Sequence, residues 1–279
     1  MGALATGATA LVAIGIATGE CEPFTPSVTA RTLLERHALP HASSETIPTA
    51  LLIAIAFFLP LASTCTLALL APPRFHRALR SASSLGATLG LSMLFTNTTK
   101  ACVGKYRPDF VLRCFPSSAF PGSLPPNRTI VDPNTLAPQC DDDADPYVLA
   151  DGRKSFPSGH ASLAAAGLAW LALSLHEYST EYGFIASKST LSSWNCTKRI
   201  VLLLSFFVCL LLAALVAASR LQDNRHFPED VLAGLAFGSL ASAGTKLTFS
   251  RLPLDVNQQA KFNQPQAETA PQPLQGESV

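Results

Sequence analysis

Long apolar stretches separated by short polar segments dominate this sequence. Six of them carry few or no charged side chains, at residues 1–19, 48–72, 81–100, 158–176, 200–219 and 230–250. A helix that spans a membrane needs about 20 such residues. Segments 48–72 and 200–219 meet this requirement easily, and we expect the weaker segments to join them. The pattern predicts an all-α polytopic membrane protein, a bundle of six transmembrane helices over residues 1–254.

The composition supports a membrane protein and excludes two other classes. Only 14% of the 279 residues are charged, whereas ordinary globular proteins have about 25%. The net charge of +1 provides no electrostatic basis for binding nucleic acid. Residues 255–279 are rich in Gln, Pro, Ala and Glu without apolar periodicity, which is typical of a disordered tail.

Basic residues between the apolar segments predict the orientation in the membrane. The second and third segments are joined by a short loop with three arginines, Arg74, Arg77 and Arg80. Such loops face the cytoplasm by the positive-inside rule. Segment 1–19 has an alternative interpretation as a signal peptide, although no basic residue precedes Arg31. Either interpretation places the segment that follows it on the lumenal or exterior side.

Three polar clusters stand at the ends of the predicted helices. The first runs from Lys100 to Pro108, the second from Ser155 to Ser162, and the third from Ser219 to Asp230. Counting the spans places all three at one face of the membrane. Each cluster alone is typical of a common structural feature without a catalytic role, such as an interface anchor, a capped turn or a surface ion pair. Their joint occurrence favours a functional site.

The residue types in these clusters predict a site for an anion. Lys100, Arg107 and Arg220 converge without an equal number of carboxylates, which indicates an anionic ligand. Ser158 and Gly159 stand at a predicted helix start, where free N–H groups favour phosphate. No carboxylate or CxxC cluster offers ligands for Mg²⁺ or zinc, so we expect no metal and no cofactor.

Two histidines in the clusters can divide the chemistry of phosphoryl transfer. His226 and His160 have the side chains needed for a nucleophile and a general acid. Asp230 follows His226 by four residues, so one helical face would let its carboxylate fix the tautomer of the imidazole.

These residues resemble the signatures of the type 2 phosphatidic acid phosphatases, the PAP2 or lipid phosphate phosphatase family. The signatures are Lys-x6-Arg-Pro, Pro-Ser-Gly-His and Ser-Arg-x5-His-x3-Asp. They match here at the positions Lys100, Arg107-Pro108, Pro157-Ser158-Gly159-His160, Ser219-Arg220, His226 and Asp230. The flanking residues are most similar to fungal and plant-type members. One departure is Lys105-Tyr106, where relatives often have Arg-Pro or Arg-Leu, and it leaves the substrate preference open.

The resemblance implies Mg²⁺-independent hydrolysis of a lipid phosphate. It implies that His226 attacks phosphorus to give a phosphohistidine, that Asp230 orients it, and that His160 protonates the leaving group. The phosphoryl oxygens would be held by Lys100, Arg107, Ser158, Gly159 and Arg220. Substrates of this kind are phosphatidate, lysophosphatidate, diacylglycerol pyrophosphate and sphingoid phosphates. A polyprenyl diphosphate or sugar phosphate phosphatase, or a non-catalytic lipid-binding relative, remains an alternative.

The long segment between the first two clusters carries two further features. Cys114 and Cys140 lie on the predicted non-cytoplasmic side, where disulfides form. They can pair with each other, and the alternatives are two free thiols or pairing of either one with Cys21. Asn127-Arg-Thr is a candidate glycosylation sequon.

Overall fold

The chain is helical over most of the part that the computed structural model describes, residues 2–40, 42, 44–69, 74–116, 129–186 and 192–251. The β-type pairing within these ranges is an isolated bridge between Val131 and Pro138. The helices are α1 (Gly2–Ala17), α2 (Ala30–Arg36), α3 (Thr49–Ile53), α4 (Leu59–Leu69), α5 (Arg74–Val103), α6 (Phe110–Cys114), α7 (Pro146–Gly152), α8 (Gly159–Ala186), α9 (Ser192–Gln222) and α10 (Pro228–Arg251). A π-helical segment, Ala54–Phe58, joins α3 to α4. The predicted all-α class is confirmed.

The boundaries of the long helices differ from those expected. Helix α5 begins at Arg74, so the loop predicted to carry Arg77 and Arg80 is instead the first turns of this helix. The segment 74–80 contains neither Gly nor Pro, and its Arg, Ala and Leu residues favour a helix. Arg80 also donates a hydrogen bond to the carbonyl of Phe249 on α10. The predicted tail, 255–279, lies outside the described residues.

Two helical stretches among the described residues are long and apolar enough to cross a membrane, Thr49–Leu67 and Ile200–Gln222. The prediction of six spans is therefore not confirmed by length and hydropathy. Helices α8 and α10 are rich in Ala, Gly and Ser, which lowers their hydropathy. Helix α9 differs because it leaves large apolar side chains exposed, among them Leu203, Leu204, Phe207 and Leu210.

Helix α8 is the centre of the bundle and packs against α5, α9 and α10. Several of its polar contacts to these helices are made by buried hydroxyl groups. Ser162 Oγ lies 2.6 Å from Ser92 Oγ and 2.8 Å from Thr96 Oγ1, both on α5. Trp170 is fully buried and donates from Nε1 to Ser84 Oγ at 3.0 Å. Small hydroxyl residues allow helices to approach closely while their polar groups stay satisfied. These contacts fix the position of the α8 N-terminus.

Short helices and loops cover one end of this bundle. Helices α2 and α6 share an apolar cluster that includes Leu33, Tyr106, Phe110 and Phe115. A disulfide joins Cys114 at the end of α6 to Cys140. Cys21, the alternative partner, is a free and exposed thiol. Asn127 lies outside the described residues, so the structure says nothing of the predicted sequon.

Local sequence explains why two of these short helices form. At α2, the side chain of Thr29 accepts a hydrogen bond from Thr32 N at 3.2 Å. At α7, Asp145 accepts from Tyr147 N at 2.8 Å, and Pro146 occupies the first helical position. Both are standard N-cap signals.

Candidate active site

The structure brings the three polar clusters together at the covered end of the bundle. The second and third clusters are joined by a hydrogen bond from Ser158 N to the Asp230 carbonyl, at 2.9 Å. The first cluster reaches the second through Lys100, because a Cβ added at Gly159 would lie 3.1 Å from the Lys100 ammonium. The Lys100 ammonium therefore lies next to the start of α8.

His226 lies in the connection between α9 and α10 and is buried. Its Nδ1 is 2.7 Å from the main-chain carbonyl of Ser155. A carbonyl only accepts, so Nδ1 carries the hydrogen and Nε2 keeps its lone pair. Burial lowers the pKa of His226 well below its ordinary value, and the charges of Arg107 and Lys100 lower it further. The imidazole is therefore neutral at physiological pH, the form required of a nucleophile.

Asp230 does not hold His226 directly, which corrects the expectation from their spacing. Its Oδ2 is 4.0 Å from His226 Nδ1, beyond hydrogen-bonding distance. This oxygen instead accepts from Ser155 Oγ at 2.6 Å and from Phe227 N at 3.0 Å. Since α10 begins at Pro228, the second contact is the reciprocal half of a capping box. Asp230 thus acts on His226 through Ser155.

Lys105, the residue at which the first motif departs from its relatives, also contacts Asp230. Its ammonium is 2.6 Å from Asp230 Oδ1 and 2.8 Å from Glu229 Oε1. It also lies 4.6 Å from the centre of the Phe227 ring. Lys105 therefore balances the negative charge of the buried Asp230 carboxylate, so that this charge does not repel an anion bound nearby.

Arg220, at the end of α9, is 1% exposed, and protein acceptors bind two of its nitrogens. Nε donates to Ser219 Oγ at 3.1 Å, while Nη2 donates to the Ile47 carbonyl and to Asp223 Oδ2, both at 2.9 Å. The remaining nitrogen, Nη1, lies 3.5 Å from Glu45 Oε2. This nitrogen is the one left to face a ligand.

His160, in the first turn of α8, faces the same oxygen of Glu45 from the other side. Its Nε2 is 3.7 Å from Glu45 Oε2. Within the described part of the chain, Nε2 is buried and has no hydrogen-bond partner. An unsatisfied buried nitrogen in a polar cluster indicates a position for a ligand or a reacting atom.

Arg107 is clamped by Asp151 of α7. Its Nε donates to the Asp151 carbonyl at 2.9 Å and its Nη2 to Oδ1 at 2.8 Å, while Arg113 binds Oδ2 at 2.8 Å. Burial alone would raise the pKa of Asp151, but the two arginines hold it to about 2. Burial lowers the pKa of Arg107, and the carboxylate opposes this.

These ion pairs correct the expectation that the cations lack matching carboxylates. Asp151 matches Arg107 and Asp223 matches Arg220. Asp223 stands three residues after Arg220, a helical spacing that sequence could have revealed. Asp151 comes from a separate short helix, so its pairing with Arg107 depends on the tertiary fold.

Ser158 and Gly159 occupy the N-terminus of α8 as predicted from the motif. Ser158 is fully buried, and its Oγ lies 3.5 Å from Ala161 N, the contact of a weak N-cap. Gly159 is the first residue of the helix. The free N–H groups of this turn therefore lie beside Lys100 and His160, where they can bind an anion.

His37 is a buried histidine of the site region that sequence reasoning missed. Its Nδ1 is 2.9 Å from the Arg107 carbonyl, and its ring packs edge-on against Tyr106 and Phe227. Burial lowers its pKa. It joins the loop of the first motif to that of the third, and no local sequence pattern marks it.

A cavity of about 510 Å³ adjoins the site on the side of α1, α5 and α7. Its wall includes Lys100, Asp151 and Lys154, with Glu20 and Glu22 from the segment after α1. Among the described residues, no group of three or more His, Cys, Asp or Glu side chains is arranged to hold a metal ion.

The helical bundle gathers two histidines, three cations and a helix N-terminus at one end, a set of groups with the donors that a phosphate-like anion requires. Comparison with known families agrees with this. The chain belongs to the PAP2 superfamily, whose family model matches residues 81–252 and so includes all three motifs. No solved structure matches the chain significantly.

Similar proteins include several named phosphatases. Probable diacylglycerol pyrophosphate phosphatase 1 of Schizosaccharomyces pombe is 34% identical over 145 residues, 52% of this chain and 44% of the relative. Diacylglycerol pyrophosphate phosphatase 1 of Saccharomyces cerevisiae is 31% identical over 206 residues, 71% of this chain and 63% of the relative. Lipid phosphate phosphatase 2 of Arabidopsis thaliana is 32% identical over 162 residues, covering 58% and 48%. The chain spans about half the length of the curated relatives it matches.

Proposed function

We propose that this protein is an integral membrane lipid phosphate phosphatase that works through a phosphohistidine on His226. One observation carries the proposal. His226 is buried beside Lys100 and Arg107, and its Nδ1 is occupied by the Ser155 carbonyl. Its Nε2 is therefore a neutral nucleophile within a cationic site.

The first chemical step transfers the phosphoryl group to the enzyme. His226 Nε2 attacks phosphorus and forms a P–N bond while the P–O bond to the lipid breaks. His160 donates a proton from Nε2 to the leaving oxygen, which departs as the lipid alcohol or, from a pyrophosphate, as the lipid monophosphate. Water then attacks the phosphohistidine, aided by His160 as the base. Inorganic phosphate and free His226 result.

The cations and the helix N-terminus supply the charge that this reaction requires. Arg220 Nη1, the Lys100 ammonium and the N–H groups that follow Ser158 are available to the phosphoryl oxygens. Arg107 remains charged beside Asp151 and contributes through its remaining nitrogen. We propose that these groups replace a metal ion, so that the reaction needs neither Mg²⁺ nor another cofactor.

Lipid headgroups are the substrate class that we propose. The relatives from Schizosaccharomyces pombe and Saccharomyces cerevisiae are named for diacylglycerol pyrophosphate, and those from Arabidopsis thaliana for lipid phosphates. Phosphatidate, lysophosphatidate and sphingoid phosphates share the same terminal phosphate. A panel of these lipids, with a polyprenyl diphosphate included, distinguishes them.

We also propose that the six predicted segments cross the membrane and that the site faces the lumen or the exterior. The apolar exposed surface of α9 supports contact with lipid. The disulfide between Cys114 and Cys140, next to the site, suits a non-cytoplasmic compartment. A protease-cleavable tag inserted at Thr129 should be cut by an impermeant protease added to intact cells. Protection of the tag would show that the protein has the opposite orientation.

The decisive test measures phosphate release from the lipid panel by the purified full chain in detergent micelles, with EDTA present. We expect hydrolysis of at least one lipid phosphate, insensitive to EDTA. Rapid quenching should trap an acid-labile phosphoenzyme in the wild type but not in His226→Ala. Activity that is lost with EDTA and restored by Mg²⁺ would refute the mechanism, and an inactive wild type would refute the function.

A further inference from the structure

Glu45 is a carboxylate placed inside the proposed anion site, between two groups that the reaction needs. Its Oε2 lies 3.5 Å from Arg220 Nη1 and 3.7 Å from His160 Nε2. None of the three family motifs contains this residue. The segment 39–48 that carries it precedes the matched region, 81–252.

The two nitrogens that Glu45 faces are those left free by the rest of the site. Arg220 uses Nε and Nη2 on Ser219, Ile47 and Asp223, so Nη1 is its donor for a ligand. His160 Nε2 has no hydrogen-bond partner among the residues that the structure describes. One carboxylate oxygen thus stands where a phosphate oxygen would meet both groups.

The backbone next to Glu45 is fixed firmly at this position. Thr46 donates from its N and its Oγ1 to the Asp223 carboxylate, at 3.0 and 2.5 Å. The Ile47 carbonyl accepts from Arg220. Among the described residues, the Glu45 side chain makes only the two longer contacts to Arg220 and His160, and it is 28% exposed. The backbone around Glu45 is therefore held in place, while the Glu45 carboxylate can move towards solvent.

We propose that Glu45 is an internal anion that occupies the phosphate position and is displaced when a lipid phosphate binds. This inference rests on the proposed function. Two anions cannot share one position between Arg220 and His160, because like charges in close contact cost several kcal/mol. Glu45 therefore weakens the binding of phosphate groups, including the product, and balances the charge of Arg220 in the empty site.

Glu45→Gln tests this proposal because it keeps the size of the side chain and removes its charge. The matched control is Glu35→Gln, which removes the same charge from an exposed residue of α2 that pairs with Arg31. For each protein we would measure kcat, KM and the inhibition constant of inorganic phosphate at fixed pH, ionic strength and lipid mole fraction.

We expect Glu45→Gln to lower the inhibition constant of inorganic phosphate and the KM about tenfold, with kcat changed less than KM. Glu35→Gln should match the wild type. An unchanged inhibition constant in an active Glu45→Gln enzyme would overturn the inference and leave the phosphatase function intact. A fall in kcat at unchanged KM would also overturn it, because Glu45 would then assist proton transfer by His160. A wild type that neither hydrolyses lipid phosphates nor binds inorganic phosphate would refute the proposed function instead.

Discussion

Gly234 lies on α10 where that helix crosses the first turn of α8, and we predict that Gly234→Ala damages both stability and catalysis. A Cβ at this position would lie 2.5 Å from the Ser158 carbonyl oxygen, 3.1 Å from Ala161 Cβ and 3.2 Å from Ser162 N. Two of these atoms belong to the backbone, so no side-chain rotation can relieve the contact.

The size of the effect follows from these distances. A normal carbon contact is about 3.5 Å, so the start of α8 must move about 1 Å away from α10. Overpacking of this kind costs about 1–3 kcal/mol of unfolding free energy. The displaced turn carries Ser158, Gly159 and His160, while α10 carries Asp230. A misplacement of 1 Å at a reacting centre can reduce turnover about 100-fold.

Gly244→Ala is the control, because it lies on the same helix and its Cβ would meet nothing within 4 Å. Alanine is a better helix former than glycine by about 1 kcal/mol, and both variants share this gain. Thermal unfolding in detergent and phosphate release should therefore be compared between the two variants. If Gly234→Ala unfolds at the same temperature and turns over lipid phosphate as fast as Gly244→Ala, the argument from close packing is wrong.

Three further predictions test the site and the loops around it. His226→Ala should reduce turnover to background. His160→Ala should slow the hydrolysis of substrates with poor leaving groups about 10²–10⁴-fold and spare an activated aryl phosphate. The pKa of Asp151 is lowered from 3.8 to about 2, so its stabilisation is complete above pH 3.8 and is lost as the pH falls towards 2; acid unfolding curves should show this loss, and Asp151→Asn should remove it. Peptide mapping without reduction should recover Cys114 linked to Cys140, and two alkylated thiols would contradict the pairing.

The fold was predictable from sequence where apolar patterning controls it. Long helices were expected where the chain has few charged residues, and their helical character is confirmed, whereas six membrane spans are not. The beginning of α5 differs from the expectation because the three arginines at 74, 77 and 80 are typical of a cytoplasmic loop, although arginine also has a high helix propensity. The cap signals of α2 and α7, at Thr29 and at Asp145-Pro146, were present in the sequence. They were obscured because such short helices depend on tertiary packing for their stability.

The site was predictable only as far as its motifs extend. The residues of the three motifs meet in space because the ends of adjacent helices meet. The groups that contact the motif residues could not be predicted in this way. The Ser155 carbonyl, Asp151 and Glu45 are brought to the motif residues by the folding of loops and short helices. A main-chain acceptor has no signature in the sequence at all. The direct contact expected between Asp230 and His226 was wrong for this reason.

The hydrogen bond from His226 to the main-chain carbonyl of Ser155 also bears on how the protein can evolve and be engineered. Every amino acid has this carbonyl, so a substitution at position 155 removes the hydroxyl bound to Asp230 but leaves the acceptor of Nδ1 in place. A point mutation at position 155 therefore leaves the tautomer of His226 unchanged. The tautomer is sensitive instead to the length and course of the chain between α7 and α8. Insertions or deletions there, rather than substitutions, are the changes that would redirect His226.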